Sequence, residues 1–232
     1  MKNRFAVTNG LILINFVCYF YEVVVGTPPG QHNPGAYLST FINGPQVTNE
    51  GLVELGALSG TLVMQGQWWR VISGAFLHAG LMHIGLNMYS LYVLGRFVEA
   101  LAGPWRMLLI YAISLLGGGY AVVYFSPNDP TVGASGAIFG LFGALFAIGL
   151  QLGSRGRALI GLMFPVLVIN LVFTFAVPFI SKAGHVGGLF SGFIAGYVLF
   201  ALRPRPPAPV VRDTATGETT EAELLEPEAP RA

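Results

Sequence analysis

Charge is scarce in this chain: only 10% of its 232 residues are Asp, Glu, Lys or Arg, against about a quarter in soluble domains. That shortage excludes an ordinary water-soluble globule. The 12 basic and 11 acidic residues leave a net charge of +1, too small a field to hold nucleic acid. Cysteine is scarcer still. The single Cys18 lies in an apolar run without a partner for an intramolecular disulfide, and one thiol with four scattered histidines offers no zinc-ligand spacing. No metal or cofactor is implied. What abounds is apolar: 53% of residues are hydrophobic and the mean hydropathy is +0.64. The chain is expected to work in a lipid bilayer.

A helix needs about 20 apolar residues to cross about 30 Å of hydrocarbon. Six segments meet that need: 9–26, 80–101, 105–125, 132–150, 158–180 and 184–202. The predicted fold is an all-α polytopic bundle of six transmembrane helices over residues 1–202. A connection at 27–79, too long for a simple turn, forms a membrane-associated first outer loop ending in Gln67-Trp68-Trp69-Arg70, the chemistry of an interfacial anchor. Residues 1–26 show no small-x-small cleavage site and are read as a retained helix. The tail, 203–232, is Pro-rich and then acidic, with Glu218, Glu221, Glu223, Glu226 and Glu228, and is expected to be a disordered cytoplasmic appendage.

Orientation follows from the basic residues. With the N-terminus inside, Lys2, Arg4, Arg96, Arg106, Arg155, Arg157, Arg203, Arg205, Arg212 and Arg231 fall on the inner side, and Arg70 and Lys182 outside. This positive-inside asymmetry puts both termini in the cytoplasm.

Polar residues within the spans are costly in lipid unless they face a cavity or a partner. Span two begins near His78 and carries His83 and Asn87; span four opens with Gly133-Ala134-Ser135-Gly136; span six opens with Gly184-His185-Val186-Gly187-Gly188. All three spans run from the outside inward. Counting from their inner ends at about 1.5 Å per residue places Ser135, His185 and His83 roughly 24, 26 and 20 Å above the inner boundary, one layer near the outer face. Glycines every four residues in span six, Gly184, Gly188, Gly192 and Gly196, can pack against Gly136, Gly140, Gly143 and Ala144 of span four. That packing brings Ser135 and His185 near each other.

A serine needs a base within hydrogen-bond reach to become a nucleophile, and imidazole serves. Spans four and six contain no Asp or Glu, so the sequence permits a Ser-His dyad rather than a triad. Ser135 opens a helix, where unpaired N–H groups and the positive dipole end await an oxyanion. His83 and Asn87, at i and i+4, share a helix face and offer two more donors.

These residues resemble the rhomboid intramembrane serine proteases over roughly 65–202: Trp69-Arg70, then His78, His83 and Asn87, then Gly133-Ala134-Ser135-Gly136, then His185, Gly188 and Gly192. The resemblance implies Ser135 as nucleophile, His185 as general base and later acid, and His83, Asn87 and the Ser135 N–H as oxyanion donors. Gly133, Gly136 and Phe139 support the site, Phe139 by packing on the imidazole. Arg70, Glu99 and His78 match supporting positions, and His32 matches none. The implied reaction is hydrolysis of a peptide bond in or beside a substrate's transmembrane helix through an acyl-enzyme, without metal or cofactor, with the fifth span, which holds Pro165, as the lateral gate. The resemblance also implies a bacterial plasma membrane and a site opening toward the outer face. The partners are transmembrane-helix substrates and lipid, with no nucleic acid, and the oligomeric state is open. Two other readings stand beside it: a catalytically inactive relative that binds transmembrane helices, and a transporter relaying protons through His83 and His185.

Overall fold

A computed structural model describes residues 4–27, 33–44, 49–203, 210–212 and 219–221. It divides into two compact units, Met1–Ala201 and Leu202–Ala232. In the first, the helices are α1 (Ala6–Gly26), α2 (Pro34–Asn43), α3 (Asn49–Leu55), α4 (Gly60–Met64), α5 (Arg70–Ser73), α6 (Leu81–Ala102), α7 (Pro104–Phe125), α8 (Ser135–Gln151), α9 (Arg157–Ala176) and α10 (Lys182–Ala201). The six predicted spans correspond to α1 and α6 to α10.

Four of these, α1, α7, α9 with the short turn before it, and α10, are long and apolar enough to cross a membrane, and a fifth is the pair α5 and α6 taken through a 97° bend. Helix α8 falls short at 17 residues, roughly 26 Å of rise against about 30 Å of hydrocarbon. A burial pattern turned inside out accompanies these lengths: α9 has Phe164, Ile169, Val172, Phe173 and Phe175 exposed. Apolar side chains facing outward are what lipid as solvent requires. The protein is an integral membrane protein.

Several boundaries differ from the expected ones for identifiable reasons. The fourth helix starts at Ser135 rather than 132, because Gly133 takes φ +112 and Thr131 pairs with Leu58 in an isolated antiparallel bridge. The fifth stops at Ala176 rather than 180: Val177, ahead of Pro178, is pushed to extended backbone at φ −99, ψ 117. The sixth starts at Lys182 instead of 184, with the Ser181 hydroxyl accepting from the Gly184 N–H at 3.2 Å.

The connection between α1 and α6 is helical in α2 to α5 among its described residues and docks on the core. Gly133 N–H donates to the Gly74 carbonyl at 2.9 Å, and Leu58 and Thr131 exchange two backbone bonds of 3.0 and 2.9 Å. Arg70 organises this loop: it donates to Gln67 Oε1 at 2.6 Å, the Val53 carbonyl at 2.6 Å and the Ala57 carbonyl at 3.1 Å, with its guanidinium 4.6 Å from the Trp69 ring. Trp68 and Trp69 are exposed. Glu99, near the C-terminal end of α6, accepts from Val7 N–H, Thr8 N–H and Thr8 Oγ1 at 3.1, 2.9 and 2.6 Å, capping a helix whose own N-cap residue makes no side-chain bond.

The glycine ridges pack as the spacing implies, with one shift. A Cβ on Gly188 would strike the backbone of Gly136, one on Gly192 that of Gly140, and one on Gly196 Ala144. Gly184 instead faces Val122 and Ser181, and Gly187 faces Ala121 and Gly117, so the start of α10 lies against α7 as well as α8.

In the second unit, β1 (Val210–Arg212) pairs antiparallel with β2 (Thr219–Glu221), Val211 opposite Thr220. The remainder of the tail expected to be disordered, and His32, lie outside the described residues.

Candidate active site

The close approach of α8 and α10 sets the first pair of groups. Ser135 Oγ lies 2.8 Å from His185 Nε2, a span of 50 residues closed by glycines that allow the two backbones to touch. The imidazole is held on two further sides. Phe139, one turn below Ser135, stacks on it with ring centroids 4.0 Å apart and planes at 17°. Thr174 Oγ1, from α9, lies 2.8 Å from His185 Nδ1.

The proton positions follow from the remaining bonds. Thr174 has one hydroxyl hydrogen and donates it to the Asn170 carbonyl at 2.7 Å, so toward His185 its oxygen accepts. The neutral ring then carries its proton on Nδ1 and presents a bare Nε2 to the Ser135 hydroxyl. His83 has the opposite tautomer. Its Nδ1 accepts from the Ala79 N–H at 3.1 Å, which leaves Nε2–H as a donor.

That donor faces the backbone of Gly133: a Cβ there would sit 2.8 Å from His83 Nε2 and 2.7 Å from its Cε1. Glycine is needed twice over, for the left-handed φ of +112 and for the ring behind it. Asn87 is buried and gives one amide hydrogen to the His83 carbonyl at 2.9 Å, leaving the other free to donate. Ser135 begins α8 with no side-chain cap at the helix start, so its own N–H is among the orphan donors of the first turn. Gly136, next along, lies under the Gly184 carbonyl, 3.2 Å from where its Cβ would be. A cavity of about 30 Å³ adjoins Ser135 and His185, walled by Val71, Gly118, Val122 and Gly133 among others. It is roomy enough to hold a water molecule.

All seven predicted site residues, Ser135, His185, His83, Asn87, Gly133, Gly136 and Phe139, thus gather at one end of the bundle. Two residues escaped the sequence reading. Thr174 looks like any threonine in an apolar helix, and only the fold shows what it touches. Glu22, a carboxyl in the first span, carries the signal of an ionisable residue in lipid; its Oε2 accepts from the His78 N–H at 2.9 Å and ties α1 to the turn ahead of α6. His78 itself is fully buried, its ring 5.1 Å from that of His83. Among the described residues, no three His, Cys, Asp or Glu side chains are grouped so as to hold a metal ion.

Comparison with known proteins places this geometry. The chain is 42% identical over 159 residues, 68% of its length, to "Rhomboid protease GluP" of Bacillus subtilis, of which that match covers 31%. It is 37% identical over 153 residues, 64% of its length, to "RHOMBOID-like protein 6, mitochondrial" of Arabidopsis thaliana, covering 49% of that protein. It is also 32% identical over 164 residues, 68% of its length, to "Inactive RHOMBOID-like protein 8" of the same plant, covering 46% of it. The chain therefore spans a third to a half of the length of these relatives. The Rhomboid domain profile matches residues 65–202, from the tryptophan anchor to the end of α10, and the chain belongs to the rhomboid family.

Proposed function

We propose that this protein is an intramembrane serine endopeptidase that hydrolyses peptide bonds in or next to the transmembrane helices of membrane-protein substrates. The observation that carries the reading is the 2.8 Å contact between Ser135 Oγ and a His185 Nε2 left bare by the bond at Nδ1. Membership of the rhomboid family and the 42% identity to a relative named as a protease support it.

The steps follow from the groups present. The Ser135 hydroxyl passes its proton to His185 Nε2 as its oxygen attacks the scissile carbonyl carbon. The oxyanion that forms is met by the Ser135 N–H, His83 Nε2–H and the free amide hydrogen of Asn87. Collapse breaks the C–N bond, the departing amine takes the proton from Nε2, and an acyl-enzyme remains on Ser135. Water then repeats the sequence, losing its proton to Nε2, and releases the acid. Helix α8 is short for the hydrocarbon, so its first residue lies close to one face, where water is at hand. The positive-inside charges support reading that as the outer face, with both termini cytoplasmic; a bacterial plasma membrane is what the rhomboid resemblance implies.

Covalent labelling tests the reading. Detergent-purified protein is treated with a serine-reactive phosphonate, alongside Ser135→Ala, His185→Ala and an active rhomboid protease. Labelling of the wild type that vanishes in both variants is the expected result. A wild type that stays unlabelled while the control reacts would overturn the hydrolase reading and leave the second reading, an inactive family member that binds transmembrane helices; one relative's name marks it as inactive.

A further inference from the structure

We infer that Thr174 is a positioning residue for the reaction, acting through His185 in the place that an aspartate holds in a catalytic triad; the inference rests on the hydrolase reading above. Helix α9 is largely lipid-facing. Of its 20 residues only Met163, Leu167 and Thr174 are buried, along one face. Two of these three are apolar, as packing demands, and the third is a hydroxyl with 0% exposure whose oxygen reaches His185 Nδ1 at 2.8 Å.

A threonine in an apolar helix commonly donates to the carbonyl four residues earlier, and Thr174 does so to Asn170. That ordinary bond has a specific consequence here. With its hydrogen committed to Asn170, the Thr174 oxygen can only accept from Nδ1, so the chain Asn170 C=O, Thr174 O–H, His185 N–H has one direction. It fixes the tautomer whose Nε2 is bare, which is the only neutral form able to take the serine proton. After transfer the imidazolium keeps its Nδ1–H on the Thr174 oxygen, and the positive charge meets the negative end of a hydroxyl dipole that is already oriented. The proton count is unchanged: one proton moves from Ser135 Oγ to Nε2, and none leaves Nδ1. A carboxylate would stabilise the imidazolium more strongly, but burying a charge at this site carries a large desolvation cost. A hydroxyl aligned by a helix carbonyl orients the ring without a buried charge.

The placement of this group on α9 adds a second consequence. Ser135, Phe139 and His185 sit on the tightly packed α8 and α10, whereas the orienting oxygen rides on the helix that makes few contacts with α10. A displacement of α9 would therefore carry the acceptor away from Nδ1.

The test compares Thr174→Val, which keeps the shape and removes the oxygen, with Thr174→Ser, which keeps the oxygen. In 15N-histidine-labelled protein in bilayers, the His185 signals are identified by their loss in His185→Gln. Wild type and Thr174→Ser are expected to show a protonated Nδ1 and a bare Nε2, and Thr174→Val a mixture of tautomers. With a transmembrane-helix substrate, Thr174→Val is expected to lose about ten- to a hundredfold in kcat with KM unchanged, the size of one hydrogen bond to a charged group, and Thr174→Ser to recover most of it. An unaltered His185 tautomer in Thr174→Val would overturn the inference, and so would unaltered kcat. A fall in activity that Thr174→Ser fails to rescue would also overturn it, assigning Thr174 to packing. A wild type that cleaves nothing overturns the hydrolase reading instead, while the tautomer comparison still decides what Thr174 does.

Discussion

His83 and Asn87, the proposed oxyanion donors, share one face of α6 but are held by different means. His83 is fixed by the Ala79 N–H on its far nitrogen, while Asn87 is tethered to the His83 carbonyl one turn back. Removing either side chain takes away a donor that is strongest when the oxyanion exists, so the loss belongs in kcat rather than KM. His83→Ala and Asn87→Ala are each expected to lower kcat about a hundredfold or more with KM little changed. Steady-state kinetics on a transmembrane-helix substrate check this, and a rise in KM at constant kcat would assign the residue to binding. These donors were legible because histidine and asparagine at i and i+4 have no business on an apolar helix unless something polar faces them. Thr174 was not, since threonine satisfies itself on its own helix and costs little in lipid. Its role depends on where α9 packs, which no spacing in the sequence encodes. Spans four and six hold no Asp or Glu, and the orienting group proposed above, Thr174, comes from α9 instead.

At the scale of elements, the bundle is held at the site by backbone contact between α8 and α10. Gly188 and Gly192 have no room for a Cβ, their neighbours being the main chain of Gly136 and Gly140, which cannot swing aside. Gly188→Val is expected to lower stability by about 1–3 kcal/mol and to abolish labelling of Ser135 at temperatures where the fold survives, because the ridge sets the 2.8 Å approach of Ser135 and His185. Gly161 on α9 is the counterpart: nothing lies within 4 Å of its Cβ position. Gly161→Ala is expected to leave activity intact and to be neutral or stabilising by up to about 1 kcal/mol. Thermal unfolding in detergent, read by intrinsic fluorescence, checks both, and equal effects at the two positions would refute the ridge argument. The ridges were legible because small residues every four positions have one use in lipid. The ends of α8 and α9 were less so. Thr131 pairs with a residue 73 positions earlier, a long-range contact that the hydropathy of the segment conceals, and Pro178 holds Val177 extended so that α9 ends at Ala176 although the apolar run continues to Ile180. The helices of the outer loop left no apolar stretch long enough to be seen.

For the whole molecule, the question is which side of the membrane the site serves. Ser135 begins a helix of 17 residues, so it lies near one face, and Arg96, Arg106, Arg155 and Arg157 lie in or beside the short connections at the opposite ends of these helices. Arginine in short connections stays in the cytoplasm. On the proposed orientation the 126–134 connection, which leads into Ser135, is expected outside, together with the loop that pairs with it through Leu58 and Gly74. Asn128 in that connection and Ser154 in the one between α8 and α9 are both exposed, so a cysteine at either is open to reagents. In a Cys18→Ser background, an impermeant maleimide is expected to modify Asn128→Cys in intact spheroplasts and Ser154→Cys only after permeabilisation. The reverse pattern would place the serine on the cytoplasmic side. It would also mean that four arginines had been carried across the membrane, and the substrates would then be helices whose cytoplasmic ends are cut.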